Sequence, residues 1–261
     1  LAAEDDLASG HWGAGGSAAD ERSGSVASCS GGPPPDGAAV EVHKADFIEF
    51  MVRCGVLSFG DFVTKSGRRT PYFLNTGRYR TGAQLAELGE HYAAAIQRHW
   101  PDGVDVLFGP AYKGIPLVAA ASMALARQGR EVGWCFNRKE AKDHGERGLL
   151  VGAQPGDGDR VLIVEDVTTA GTSIRETVPL LRSVADAEIA GLIVSADRQE
   201  RGLGRRSALA ETADEFAMPA RAIVTLDEIV AHLHGREIDG RILLDDAVLA
   251  RIDAYRAEYG A

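Results

Sequence analysis

Two carboxylates stand side by side at the end of an apolar run. The stretch VLIVEDVTTAGTS, residues 161–173, places Glu165 and Asp166 directly after four aliphatic residues. A loop of small and hydroxyl-bearing residues follows: Val167, Thr168, Thr169, Ala170, Gly171, Thr172 and Ser173. Backbone N–H groups over 169–173, the threonine hydroxyls and the start of the next helix form a cradle for one phosphate. Paired acids repel phosphate and suit hydroxyls, a developing cation or a metal-bridged sugar. Cradle and acids together describe a 5-phosphorylated ribose, with the loop on the phosphate and the acids on the 2- and 3-hydroxyls. The plainer alternative is an ordinary strand–turn–helix whose acids cap local groups. No GK[ST] is present, so the loop is not a Walker A motif.

A second cluster is cationic. RKEAKDHGER, residues 138–147, gathers Arg138, Lys139, Lys142, His144 and Arg147 between two apolar runs. Most such runs are solvated surface loops. Beside a phosphate cradle, however, these cations have an anionic ligand to meet.

The elements that must position these groups alternate. VDVLFG (104–109), EVGWCF (131–136), RVLIVED (160–166), AEIAGLIVSAD (187–197) and RAIVTL (221–226) are apolar runs too continuous for a one-sided strand. They fit a parallel sheet covered on both faces. Phe47, Ile48, Met51 and Val52 fall at helical spacing, with Gly55 as a stop. Short strands around an SGRRTP turn follow. Thr81 with Gln84 and Thr225 with Glu228 read as capping boxes. Pro116 and Gly129 bracket another helix. Pro179 falls inside a helical pattern, where it should kink or shorten the helix. Helical material from about 243 closes the chain, and there is no internal repeat. In such a sheet, ligands collect at the carboxyl ends of the strands.

Composition narrows the class. The 261 residues are 45% hydrophobic and 25% charged, as in a globular protein with a sizeable core. A net charge of −10 argues against broad nucleic-acid binding, and no apolar run is long enough for a membrane span. Cys29, Cys54 and Cys135 are odd in number and widely spaced, so free thiols in a reducing compartment are expected, without a zinc site. Residues 1–40 are rich in Ala, Gly and Ser with few large apolar side chains, and read as a disordered tail or linker before a domain at 41–261. The first residue is Leu rather than Met, so a fragment or processed product is expected. An upstream fusion partner would fit. His91, His99, His232 and His234 show no partner pattern and are expected on the surface or in packing.

VLIVEDVTTAGTS resembles the phosphoribosyl-pyrophosphate (PRPP) signature of type I phosphoribosyltransferases. TKSGRRTPYFLNTG (64–77), FGPAYKGIP (108–116), FNRKEAKDHGE (136–146) and ADRQERG (196–202) narrow the resemblance to the orotate phosphoribosyltransferases. It runs from about residue 43 to the C-terminus. The resemblance implies a type I phosphoribosyltransferase fold: a central, mostly parallel sheet flanked by helices, a small N-terminal hood and a mobile charged lid. It implies transfer of phosphoribose from PRPP to orotate with Mg²⁺ held chiefly by PRPP oxygens, helped by Glu165 and Asp166. It further implies a cytoplasmic homodimer whose lid reaches the neighbouring subunit.

Residue by residue, Arg138, Lys139, Lys142 and His144 correspond to the lid over the pyrophosphate, with Lys142, His144 and Asp166 catalytic. Lys65 corresponds to a lysine reaching the PRPP region, and Phe73 and Leu74 to residues packing on the orotate ring. Tyr112 and Lys113 correspond to the pyrophosphate loop, where Gly109 and Gly114 suit close backbone approach. A cis bond between Ala111 and Tyr112 is implied there. Thr169 and Arg198 correspond to residues holding orotate, Arg198 on its carboxylate; the alternative for Arg198 is a structural ion pair. Two other functions share the 5-phosphate loop: a purine phosphoribosyltransferase and a catalytically silent PRPP-binding regulator. PYFLN, the lid and DRQERG favour orotate.

Overall fold

The computed structural model describes residues 40–64, 67–139, 148–167 and 171–261. The tail expected over 1–40 lies outside the described residues, except for Val40, which packs against the core.

Helix α1 (Val42–Arg53) buries Phe47, Ile48, Phe50 and Met51, and Gly55 follows it at φ 66°. Strands β1 (Leu57–Val63) and β2 (Arg69–Leu74) form the antiparallel hairpin of the hood. Pairing reaches back to Arg69, so the turn is shorter than SGRRTP suggested and Pro71 sits within a strand. The register shifts between Phe59 and Phe62, next to Pro71, and this bulge accommodates the missing N–H. A 3-10 turn (Thr76–Arg78) then leads into α2 (Gly82–His99), whose N-terminus carries the complete Thr81–Gln84 capping box.

From here strands and helices alternate: β3 (Val106–Phe108), α3 (Gly114–Arg127), β4 (Gly133–Asn137), β5 (Leu150–Gly152), β6 (Arg160–Glu165), α4 (Thr172–Val184), β7 (Glu188–Asp197), α5 (Ala208–Phe216) and β8 (Ala220–Thr225). The sheet order is β5-β4-β3-β6-β7-β8. All neighbours are parallel except β5, which returns antiparallel on β4. Strand β5 has no counterpart among the strands read from the sequence; three residues are too few to show a period. The chain ends with α6 (Leu226–Leu233), the two-residue strands β9 (Glu237–Ile238) and β10 (Arg241–Ile242), and α7 (Asp246–Tyr259).

The continuous apolar runs are explained by two cores, one on each face of the sheet. Val106, Phe108, Val161, Ile163, Leu192 and Val194 pack with Ile174, Val178 and Leu181 of α4 and Leu209 of α5. Leu107, Leu162, Val164 and Ile193, which alternate with them, pack with residues of α1, α2, α3, α6 and α7. Truncating a fully buried leucine such as Leu162 to alanine would cost about 2–5 kcal/mol.

Helix α4 is not shortened by Pro179 and runs five residues beyond it to Val184. A proline there removes one helical hydrogen bond, while burial of Ile174, Val178 and Leu181 holds the segment on the sheet. Among the described residues no helix is long and apolar enough to cross a membrane.

Candidate active site

The strand order turns around between β3 and β6. From β3 the chain runs outward to β4 and β5, then crosses back to β6 and continues the other way. In an open parallel sheet such a switch point leaves a crevice at the carboxyl ends of the two strands. Lys113 follows β3 and Asp166 follows β6, and both stand at that crevice.

Asp166 is buried and hydrogen-bonded throughout. Its Oδ2 accepts from Lys113 Nζ at 2.7 Å and from Thr76 Oγ1 at 2.8 Å. Its Oδ1 accepts from Val167 N at 2.7 Å. Its backbone carbonyl accepts from Ser195 N and Ser195 Oγ of β7, at 2.8 and 2.5 Å. Glu165 is also buried, but its partners are neutral. Asp166 N donates to its Oε1 at 3.1 Å and Ser173 Oγ to its Oε2 at 3.0 Å, while Tyr92 Oη donates to its carbonyl at 2.7 Å. Burial, and then the adjacent Asp166, push the Glu165 carboxyl up to about 7. The two neighbouring acids are therefore not equivalent: Asp166 holds the lysine and Glu165 does not.

The loop after β3 is drawn tight. A Cβ on Gly109 would lie 2.3 Å from the Gly114 carbonyl oxygen, and one on Gly114 would lie 2.6 Å from Gly109 C. Only glycine fits either position, and their contact places Lys113 at the start of α3. The Ala111–Tyr112 peptide bond is cis, and Ala111 N donates to Asn137 Oδ1 at 2.8 Å. Asn137 closes β4, so the loop is tied to the root of the lid. Tyr112 is 69% exposed at the crevice.

The stretch expected to form the lid leaves β4 and returns on its antiparallel neighbour β5. Asn137 pairs with Leu150, Arg138 N donates to Leu149 O at 3.0 Å, and Arg138 Nε donates to Gly148 O at 3.2 Å. Lys139 is exposed at its root. Lys142 and His144 lie outside the described residues, as do Lys65, Thr168, Thr169 and Ala170. Of the phosphate cradle, Gly171 caps α4 at φ 68° and Thr172 is exposed. Ser173 donates its hydroxyl to Glu165 Oε2.

The residues expected to contact the base are divided. Phe73 stacks on Phe62 with ring centroids 5.4 Å apart, while Leu74 packs against the core on the other face of β2. Arg198 is buried at the end of β7, its guanidinium 5.1 Å above the Tyr72 ring centroid. Its Nε and Nη2 donate to Glu200 Oε1 at 2.9 and 2.5 Å. A cavity of about 360 Å³ opens beside Asp166 and Lys113, lined also by Thr76, Tyr79, Leu85 and Pro116.

Comparison with known proteins decides the family. Residues 75–213 match the phosphoribosyl transferase domain family. The orotate phosphoribosyltransferase of Clostridium beijerinckii is 56% identical over 223 residues, which is 85% of this chain and 100% of that protein. That of Cellvibrio japonicus is 49% identical over 222 residues, covering 85% of this chain and 99% of that protein. This chain belongs to the orotate phosphoribosyltransferase family. The crystal structure of the Francisella tularensis orotate phosphoribosyltransferase superposes with a TM-score of 0.72 at 39% identity, covering 83% of this chain and 100% of that one.

As an orotate phosphoribosyltransferase family member, the chain has the mostly parallel sheet flanked by helices that its motifs implied. Of the site residues read from the sequence, Lys113, Glu165, Asp166 and Val167 come together in direct contact or sequence at the crevice. Thr76, Asn137, Ser195 and Glu200 were not singled out. Thr76, Asn137 and Glu200 lie inside the quoted motifs TKSGRRTPYFLNTG, FNRKEAKDHGE and ADRQERG, which is the available signal. Ser195 had none, because its role depends on strand register. His91 is packed against Phe47 and Phe50, and buried His232 meets Glu49 at 3.1 Å, both packing roles.

Proposed function

We propose that the chain transfers the 5-phosphoribosyl group from PRPP to orotate, giving orotidine 5′-phosphate and pyrophosphate, a step in making pyrimidine nucleotides. The single observation that carries the reading is the Lys113–Asp166 pair at the strand switch point, beside the N-terminus of α4. An orotate ring nitrogen, already anionic, forms the new bond to C1. The C1–oxygen bond breaks with its electron pair leaving on pyrophosphate. Positive charge on the ribose ring faces Asp166, and negative charge on the leaving group faces Lys113, Arg138, Lys139, Lys142 and His144. Closure of the lid excludes water that would hydrolyse PRPP. Arg198 meets the orotate carboxylate.

Among the described residues no three His, Cys, Asp or Glu side chains form a metal-binding group. The oxygen donors present, Asp166 and Glu165, suit a Mg²⁺ ion carried on substrate oxygens, where it would neutralise the diphosphate. Residues 41–261 form the transferase domain in this reading. A cytoplasmic homodimer sharing its lids completes it.

The test mixes the chain with orotate, PRPP and Mg²⁺ and follows loss of orotate's near-ultraviolet absorbance, with Lys142→Ala alongside. Turnover that falls about 100- to 1000-fold in the variant is expected. A folded sample that ignores orotate and consumes a purine base would discard the reading.

A further inference from the structure

One carboxylate gathers three segments of the chain behind Arg198. Glu200 Oε1 accepts from Tyr72 Oη of β2 at 2.9 Å and from Tyr255 Oη of α7 at 2.9 Å, in addition to Arg198. Arg68 Nη1 lies 4.0 Å from Glu200 Oε2. The backbone around Glu200 is equally constrained. Arg201 N donates to Tyr259 O and Ala261 N to Gln199 O, both at 2.9 Å, and Ala208 N donates to Glu200 O at 3.1 Å. Gln199 sits at φ 51°, with its side chain bonded both ways to Asp227.

Arg198 is only 8% exposed, and a cation in such a place needs an anion and a full set of hydrogen bonds to remain there. Glu200 supplies both on one edge of the guanidinium, through Nε and Nη2. Tyr72 covers one face. The bonds to Glu200 use Nε and Nη2, so the edge that carries Nη1 lies outside this clamp. A planar fork clamped on one edge and one face has a fixed direction left for its other edge. We propose that Glu200 is a positioning residue. It holds Arg198 so that the other guanidinium edge meets the carboxylate of the pyrimidine base, with Tyr72 and Tyr255 fixing Glu200 in turn. This rests on the reading above that Arg198 receives that carboxylate.

Glu200→Gln keeps an acceptor for both tyrosines and removes the charge under Arg198. The expected result is a KM for orotate raised about 10- to 100-fold, the size of effect known for partners that orient metal ligands, with KM for PRPP unchanged. Arg198→Ala should raise KM for orotate at least as far. The double variant should be no worse than Arg198→Ala alone, because Glu200 acts through that arginine. Tyr255→Phe, which takes one donor from Glu200 and leaves the ring, should raise KM for orotate less, in the same direction. It serves if Glu200→Gln does not fold. Equal changes in both KM values, additive effects in the double variant, or an unchanged KM for orotate in Tyr255→Phe would overturn the proposal. An unchanged KM for orotate in Arg198→Ala would overturn the underlying reading of Arg198 and the proposal with it.

Discussion

Lys113 Nζ stands 2.7 Å from Asp166 Oδ2, although the two residues lie 53 positions apart in the chain. The pair spans the point where the strand order reverses. Each residue comes from the carboxyl end of its strand, and neighbouring parallel strands put those ends on one edge. The contact joins the cation that would meet a leaving anion to the acid that would face a developing cation.

Lys113→Ala should therefore lower kcat/KM for PRPP by about 100-fold or more. Stability should fall as well, since the Lys113 side chain is 66% exposed but that of Asp166 is only 6% exposed, and this buried carboxylate would lose its cationic partner. Steady-state kinetics and a thermal melt of the same sample check both halves. An unaltered kcat/KM would remove Lys113 from the site.

Glu165 makes a prediction about pH. Its carboxyl is raised by burial, then by Asp166, from the ordinary 4.5 to about 7. Between those values the folded chain keeps a proton that the unfolded chain releases. This contribution to stability is thus full below about 4.5, declines as pH rises to about 7, and stays lost above. Glu165→Gln carries no such titration. Urea unfolding of both proteins at pH 5 and pH 8 should show the wild type losing stability relative to the variant at the higher pH. Parallel behaviour of the two would contradict the assignment.

Gly109→Ala tests the tight loop. The added carbon would meet backbone atoms of Gly114 rather than the flexible end of a side chain, so the loop must move. Overpacking of this kind costs about 1–3 kcal/mol. Denaturant midpoints should fall accordingly, and KM for PRPP should rise because Lys113 leaves with the loop. A variant of unchanged midpoint and KM would show that the close approach is not required.

Local signals in the sequence carried much of this fold. The Thr81–Gln84 and Thr225–Glu228 boxes are present with both of their reciprocal bonds. The continuous apolar runs are the strands of a two-faced sheet, and the acids ending one of them are at its switch point. What the sequence withheld was pairing at a distance. Strand β5 is too short to declare itself, yet its pairing with β4 brings together Asn137 and Leu150, the residues that flank the cationic stretch. Thr76 reaches an acid 90 residues away and Tyr72 one 128 residues away, separations at which no local pattern exists. Pro179 does not shorten α4 as one of its two expected effects would have it, because the buried face of the helix holds the segment on the sheet.

The convergence on Glu200 has a consequence for how the chain comes to be active. Its donors are Tyr72, Arg198 and Tyr255, from the hood, from β7 and from α7. The two tyrosines lie 128 and 55 positions from Glu200, so their contacts must offset the entropy of closing long loops. A chain emerging from the ribosome can complete its central strands before α7 exists. In that order of completion the Glu200 carboxylate gains its last donor, and Arg198 its full support, only when α7 docks.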